Sequence, residues 1–112
     1  MIKAENLVNL VSYQKDTVIS RTIIKEKAGT VTLFAFDKSQ ALSEHTVDFD
    51  ALVLLLDGEA EIRIAGKPNV LKSGDYIIMP ANESHSVKAI TDFKMLLIMI
   101  KKIKEDKCTG KR

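Results

Sequence analysis

The chain has 112 residues, 46% of them hydrophobic and 29% charged, with a formal net charge of +2. That describes one soluble globular domain, able to bury roughly 65% of its unfolded surface in a single core. A net charge so close to zero argues against nucleic acid as a partner, and the longest apolar run, Met95 to Ile100, is too short to span a bilayer.

The predicted elements, in chain order, begin with Ala4 to Gln14, a mildly apolar stretch suited to an irregular arm, a short strand or one helical turn. Residues 1–16 are assigned to an N-terminal arm. Thr17 to Ile24 is rich in β-branched residues and reads as a strand, and Lys27-Ala28-Gly29 as a turn. Thr30 to Phe36 alternates two apolar sets, with Phe34 and Phe36 at spacing two and therefore on one face. Asp37 to Glu44 reads as a polar loop ending at His45.

Ala51 to Leu56 is continuously apolar, as a strand covered on both faces should be. Asp57-Gly58 is the dipeptide of a tight hairpin. Ala60, Ile62 and Ile64 then alternate with Glu59, Glu61 and Arg63, which fixes the register of the next strand. Ala65 to Asn69 reads as a turn, and Tyr76 to Met79 as a short strand stopped by Pro80. In His85 to Ile90, His85, Val87 and Ala89 share a face, and Phe93 to Ile100 is the last long strand. Seven or eight short strands, regular turn signals and little helical periodicity predict an all-β sandwich or barrel over residues 17–101.

Residues 102–112 form a basic tail, expected to be solvated, that carries the only cysteine, Cys108. A single cysteine cannot close an internal disulfide, which suits a reducing compartment. No secretory signal pattern is visible at the N-terminus, and a cytoplasmic location is the expectation.

Both histidines flank the strand-rich segment, and histidine is the commonest metal ligand and the usual proton carrier near neutral pH. Between them, Gly74-Asp75-Tyr76-Ile77-Ile78-Met79-Pro80-Ala81-Asn82-Glu83-Ser84-His85 resembles the second motif of the cupins, the jelly-roll barrel family. That motif runs glycine, five residues, proline, one residue, glycine, two residues, histidine; here Asn82 stands at the second glycine. The first motif has two histidines one residue apart, then a glutamate, then a glycine seven residues on. Counting back from Gly58 puts Ala51 at the glutamate, His45 at the first histidine and Val47 at the second. The resemblance thus implies a single-domain cupin-type jelly roll in which only His45 and His85 remain of a ligand set of three histidines and a glutamate. Asp48 and Asp50 are expected at the barrel mouth, facing water, and homodimerisation is the family expectation, with Thr17 to Ile24 the strand for exchange.

Two functions follow as expectations. In the first, the barrel encloses an apolar pocket for a small organic molecule, lined by Val47, Ala51, Val87, Ala89, Phe34, Phe36 and Met79, with His45 and His85 as its polar groups. In the second, the chain is a cupin-type metal-dependent dioxygenase, isomerase or decarboxylase with an incomplete site, holding zinc, iron, manganese or nickel weakly through His45 and His85. A blander third reading is a regulatory domain acting through a partner. Met79, Met95 and Met99 are read mainly as core packing, although methionine also suits an adaptable pocket.

Overall fold

The computed structural model describes residues 3–101; the basic tail and Cys108 lie outside them. Nine strands are present among the described residues: β1 Val18–Glu26, β2 Gly29–Phe36, β3 Ala41–His45, β4 Phe49–Asp57, β5 Glu59–Ile64, β6 Lys67–Lys72, β7 Tyr76–Met79, β8 His85–Ala89 and β9 Phe93–Lys101. They form two antiparallel sheets, one ordered β1-β2-β9-β4-β7 and the other β3-β8-β5-β6. The two sheets face each other as a jelly roll, as the alternation predicts. No helix among the described residues is long and apolar enough to cross a membrane.

The core lies between the sheets. Ala60 and Ile62 of β5, Val87 and Ala89 of β8, Ala51, Val53 and Leu55 of β4, and Phe93 and Met95 of β9 all point inward at period two. Phe36 stacks on Phe93 with ring centroids 4.5 Å apart, closing one end of this core.

A second, smaller cluster covers the outer face of the larger sheet. A 3₁₀ turn at Leu7–Leu10, opened by the Asn6 side chain accepting from Val8 N, lays Leu7, Leu10 and Val11 over Leu33, Ala35, Leu56 and Leu96. The arm therefore covers the Leu33–Ala35 face of β2 and reaches Leu56 near the end of β4. Tyr13 donates its hydroxyl hydrogen bond to Asp57, and Lys94 Nζ donates to Val8 O at 2.6 Å while lying 5.1 Å from the Tyr13 ring centroid. Burial first, then the hydrogen bond to Asp57 and its charge, push the Tyr13 hydroxyl well above its ordinary pKa.

Three sequence expectations need correction. Asp57-Gly58 closes no hairpin, because β4 and β5 belong to different sheets. Gly58 sits at φ +83° at the corner where the chain crosses between sheets, and a Cβ there would collide with the Asp92 carbonyl oxygen and lie 2.9 Å from Phe93 Cα. The expected loop before His45 contains β3, whose residues are exposed throughout and carry no alternation to read. The expected turn over Ala65 to Asn69 is only two residues long: Ala65 (φ +51°) and Gly66 (φ +81°) join β5 to β6 with Ile64 opposite Lys67. In β6 only Leu71 is buried and Pro68 stands near the start of an edge strand, where proline is tolerated.

Candidate functional site

The site forms where β3 meets β8. His45 and His85 are register partners on these strands, although 40 residues apart in sequence. Their Nε2 atoms lie 3.1 Å apart, and the rings meet edge to face with centroids 4.3 Å apart. His85 is buried, at 5% exposure, and His45 is exposed.

Each ring is anchored from behind. His45 Nδ1 lies 2.8 Å from Ser43 O, and His85 Nδ1 lies 3.3 Å from Glu83 O. A carbonyl only accepts, so each of these contacts requires a proton on Nδ1. That tautomer leaves both Nε2 atoms without a proton across their 3.1 Å contact. Three contacts need three protons, whereas two neutral imidazoles carry two. The neutral pair is therefore one proton short, and a proton or another cation between the two Nε2 atoms would complete it. Burial lowers the pKa of His85 below its ordinary value, opposed by the Glu83 carbonyl and reinforced by the charge on His45.

Beside the rings lies a cavity of about 60 Å³, walled almost entirely by apolar side chains. It brings together His45, His85, Val47, Ala51, Met79 and Val87, six of the residues expected from sequence. Leu42, Met95, Leu97 and Met99 complete it. The period-two spacing of Met95, Leu97 and Met99 in β9 was the signal for three of these; Leu42, on the exposed β3, gave none.

The other three expected wall residues lie elsewhere. Phe36 is fully buried in the stack with Phe93, Phe34 packs 6.0 Å from Phe36, and Ala89 faces Ala60 in the core. They share the correct inward face but sit farther along their strands, where the sheets close together.

The aspartates near His45 are already engaged. Asp50 Oδ1 accepts from Ala81 N at 2.9 Å, and Asp48 Oδ1 accepts from Asn82 Nδ2 at 3.1 Å. Asn82 N also donates to Val47 O at 2.8 Å. Asn82 adopts φ +67°, the left-handed region that glycine usually fills and asparagine tolerates. These bonds fasten the turn before β8 to Asp48 and to the start of β4, and neither aspartate lines the cavity. Among the described residues no group of three or more histidine, cysteine, aspartate or glutamate side chains is placed to hold a metal ion. The donor set thus does not fit a divalent ion held by three histidines and a glutamate.

Comparison with known proteins agrees with the fold. The model of the cupin domain matches residues 32–101. A conserved protein of unknown function from Streptococcus pyogenes is 33% identical over 93% of this chain and 91% of its own, with a TM-score of 0.87. A cupin 2 conserved barrel domain protein from Leptotrichia buccalis is 37% identical over 87% of this chain, with a TM-score of 0.84; this chain spans 47% of its length. A cupin superfamily protein from Desulfitobacterium hafniense is 26% identical over 91% of this chain and 94% of its own, with a TM-score of 0.86. No curated protein sequence matches the chain. With the domain match, the two-sheet architecture and the histidine pair in place, the chain belongs to the cupin family.

Proposed function

We propose that this cupin is a binding module for a small organic molecule, whose polar end meets His45 and His85 while its apolar part lies against Met79, Met95 and Met99. The observation that carries this reading is the pair of Nε2 atoms at the wall of an otherwise apolar cavity. Pockets of this composition gain affinity from apolar burial and orientation from a few hydrogen bonds.

Cavity size narrows the ligand. About 60 Å³ holds about four waters, far less than the several hundred Å³ of a drug-sized pocket. A group of a few heavy atoms fits. The proton shortfall of the histidine pair favours a group that brings its own proton, such as a short-chain carboxylic acid. The metal-dependent enzyme has less support, because Val47 and Ala51 offer no donor and Asp48 and Asp50 are committed to the backbone and to Asn82.

The test is a screen of short-chain carboxylic acids by protein-observed NMR, run on the parent chain and on His85→Ala. Hits should perturb the residues around the cavity in the parent and lose that effect in the folded variant. Hits that bind both proteins equally, or an absence of hits near the cavity, would overturn the reading.

A further inference from the structure

We infer that the cavity is also a site for a soft monovalent cation, with Cu(I) the matching ion, held by the Nε2 atoms of His45 and His85 and the thioethers of Met79 and Met99. This goes beyond the small-molecule reading, and the two occupants compete for one space.

Strand register carries the argument. Ala51 stands where the resemblance puts a carboxylate. On β7 it pairs directly with Met79, and on β9 directly with Met99. Direct partners across antiparallel strands hold their Cβ atoms about 5 Å apart. A thioether therefore flanks the vacant carboxylate position on each side, and both line the cavity together with the two histidines. The arrangement withdraws the hard oxygen donor and supplies soft sulfur donors on either side. Thioether and imidazole together select Cu(I) over divalent ions that prefer oxygen. Three rotatable bonds let a methionine sulfur adjust to an ion without backbone movement.

Charge points the same way. No carboxylate lines the cavity to neutralise an ion. The cost of burying an ion rises with the square of its charge, so a divalent ion meets about four times the penalty of a monovalent one. The Ser43 and Glu83 carbonyls hold the Nδ1 protons and leave both Nε2 atoms free to ligate. At metal–nitrogen bonds of about 2.0–2.1 Å, the Nε2 separation of 3.1 Å subtends about 100° at the ion, near a tetrahedral angle.

The test uses the full chain carrying Cys108→Ser, which removes a competing thiol. Cu(I) is titrated anaerobically against bicinchoninate, and Ag(I), a redox-inert stand-in, is added to protein labelled at the methionine methyls. One equivalent of Cu(I) should be withdrawn from the chelator, and the methyl signals of Met79 and Met99 should shift with Ag(I). Met79→Leu with Met99→Leu nearly conserves side-chain volume and should still fold cooperatively. That double variant should lose about tenfold or more in Cu(I) affinity, with Zn(II) affinity unchanged. Failure to compete with bicinchoninate, unmoved methyl signals, or full Cu(I) affinity in the folded double variant would each overturn the inference. Organic ligands that still bind the metal-free protein in a cavity-dependent way would leave the small-molecule reading standing when copper fails.

Discussion

Restoring the two absent donors should convert the cavity into a divalent metal site. Val47 and Ala51 both line it beside the histidines, and Ala51 is 2% exposed. Ala51→Glu adds four heavy atoms, which a cavity of about 60 Å³ admits. Alone, that change places a carboxyl group among apolar walls and should cost about 2–4 kcal/mol, with the group taking up a proton to avoid burying its charge. Joined to Val47→His, it supplies four donors for Mn(II) or Zn(II). At a free metal concentration about 100 times Kd, binding to the folded state alone stabilises by about 2.7 kcal/mol. For a domain of this size that corresponds to a rise in Tm of about 10–15 °C. The assay is thermal unfolding of the parent and the double variant in EDTA and in excess metal. The variant should be less stable than the parent in EDTA and recover with metal, while the parent moves little. A folded double variant indifferent to metal would show that these backbone positions do not converge as described. A parent that responds as strongly as the variant would show that the two donors were never what the site needed.

Other outcomes can be checked by urea unfolding and hydrogen exchange. Gly58→Ala should destabilise by about 3 kcal/mol or more, because left-handed strain adds to the collision with the Asp92–Phe93 backbone, whereas Gly66→Ala meets open space and should cost about 1–2 kcal/mol. Equal losses would remove the steric argument at the corner. Since burial lowers the His85 pKa below 6.5, the unfolded chain binds the proton first as pH falls, so stability should decline below pH 6.5 and level off once the folded-state pKa is passed. His85→Leu should flatten that decline; an unchanged pH profile would assign it to another group. Asp50→Ala removes the acceptor for Ala81 N, so it should cost about 1 kcal/mol and speed amide exchange at Ala81. Protection that persists there would mean the turn before β8 is held by other bonds.

Much of the fold was legible because one face of most strands is buried and the other is not. Ala60, Ile62 and Ile64 against Glu59, Glu61 and Arg63 left a single workable register for β5, and His85, Val87 and Ala89 behaved likewise in β8. β3 and β6 were not legible. Their residues are almost all exposed, and hydrogen bonds to neighbouring strands hold them in place without any buried pattern. Asp57-Gly58 carried the local chemistry of a hairpin, but the need for a corner between sheets decided its use, and only the collision with Asp92 reveals that. Within the site, the convergence of His45 and His85 followed from the family spacing. The role of Asp48 and Asp50 did not, since nothing local signals a bond from Asp50 to a backbone amide 31 residues away. Phe34 and Phe36 were placed on the right face, yet face alone does not say how far along a strand a cavity lies.

The central claim is that the histidine pair is intact while the donors of a divalent site are gone. Elemental analysis of the chain, purified without a metal-affinity tag, tests it most directly. Less than about a tenth of an equivalent of iron, manganese, nickel and zinc combined is expected, since two imidazoles fall short of the three protein ligands such ions usually need. Near-stoichiometric content of any one of them, lost on His85→Ala, would contradict the account.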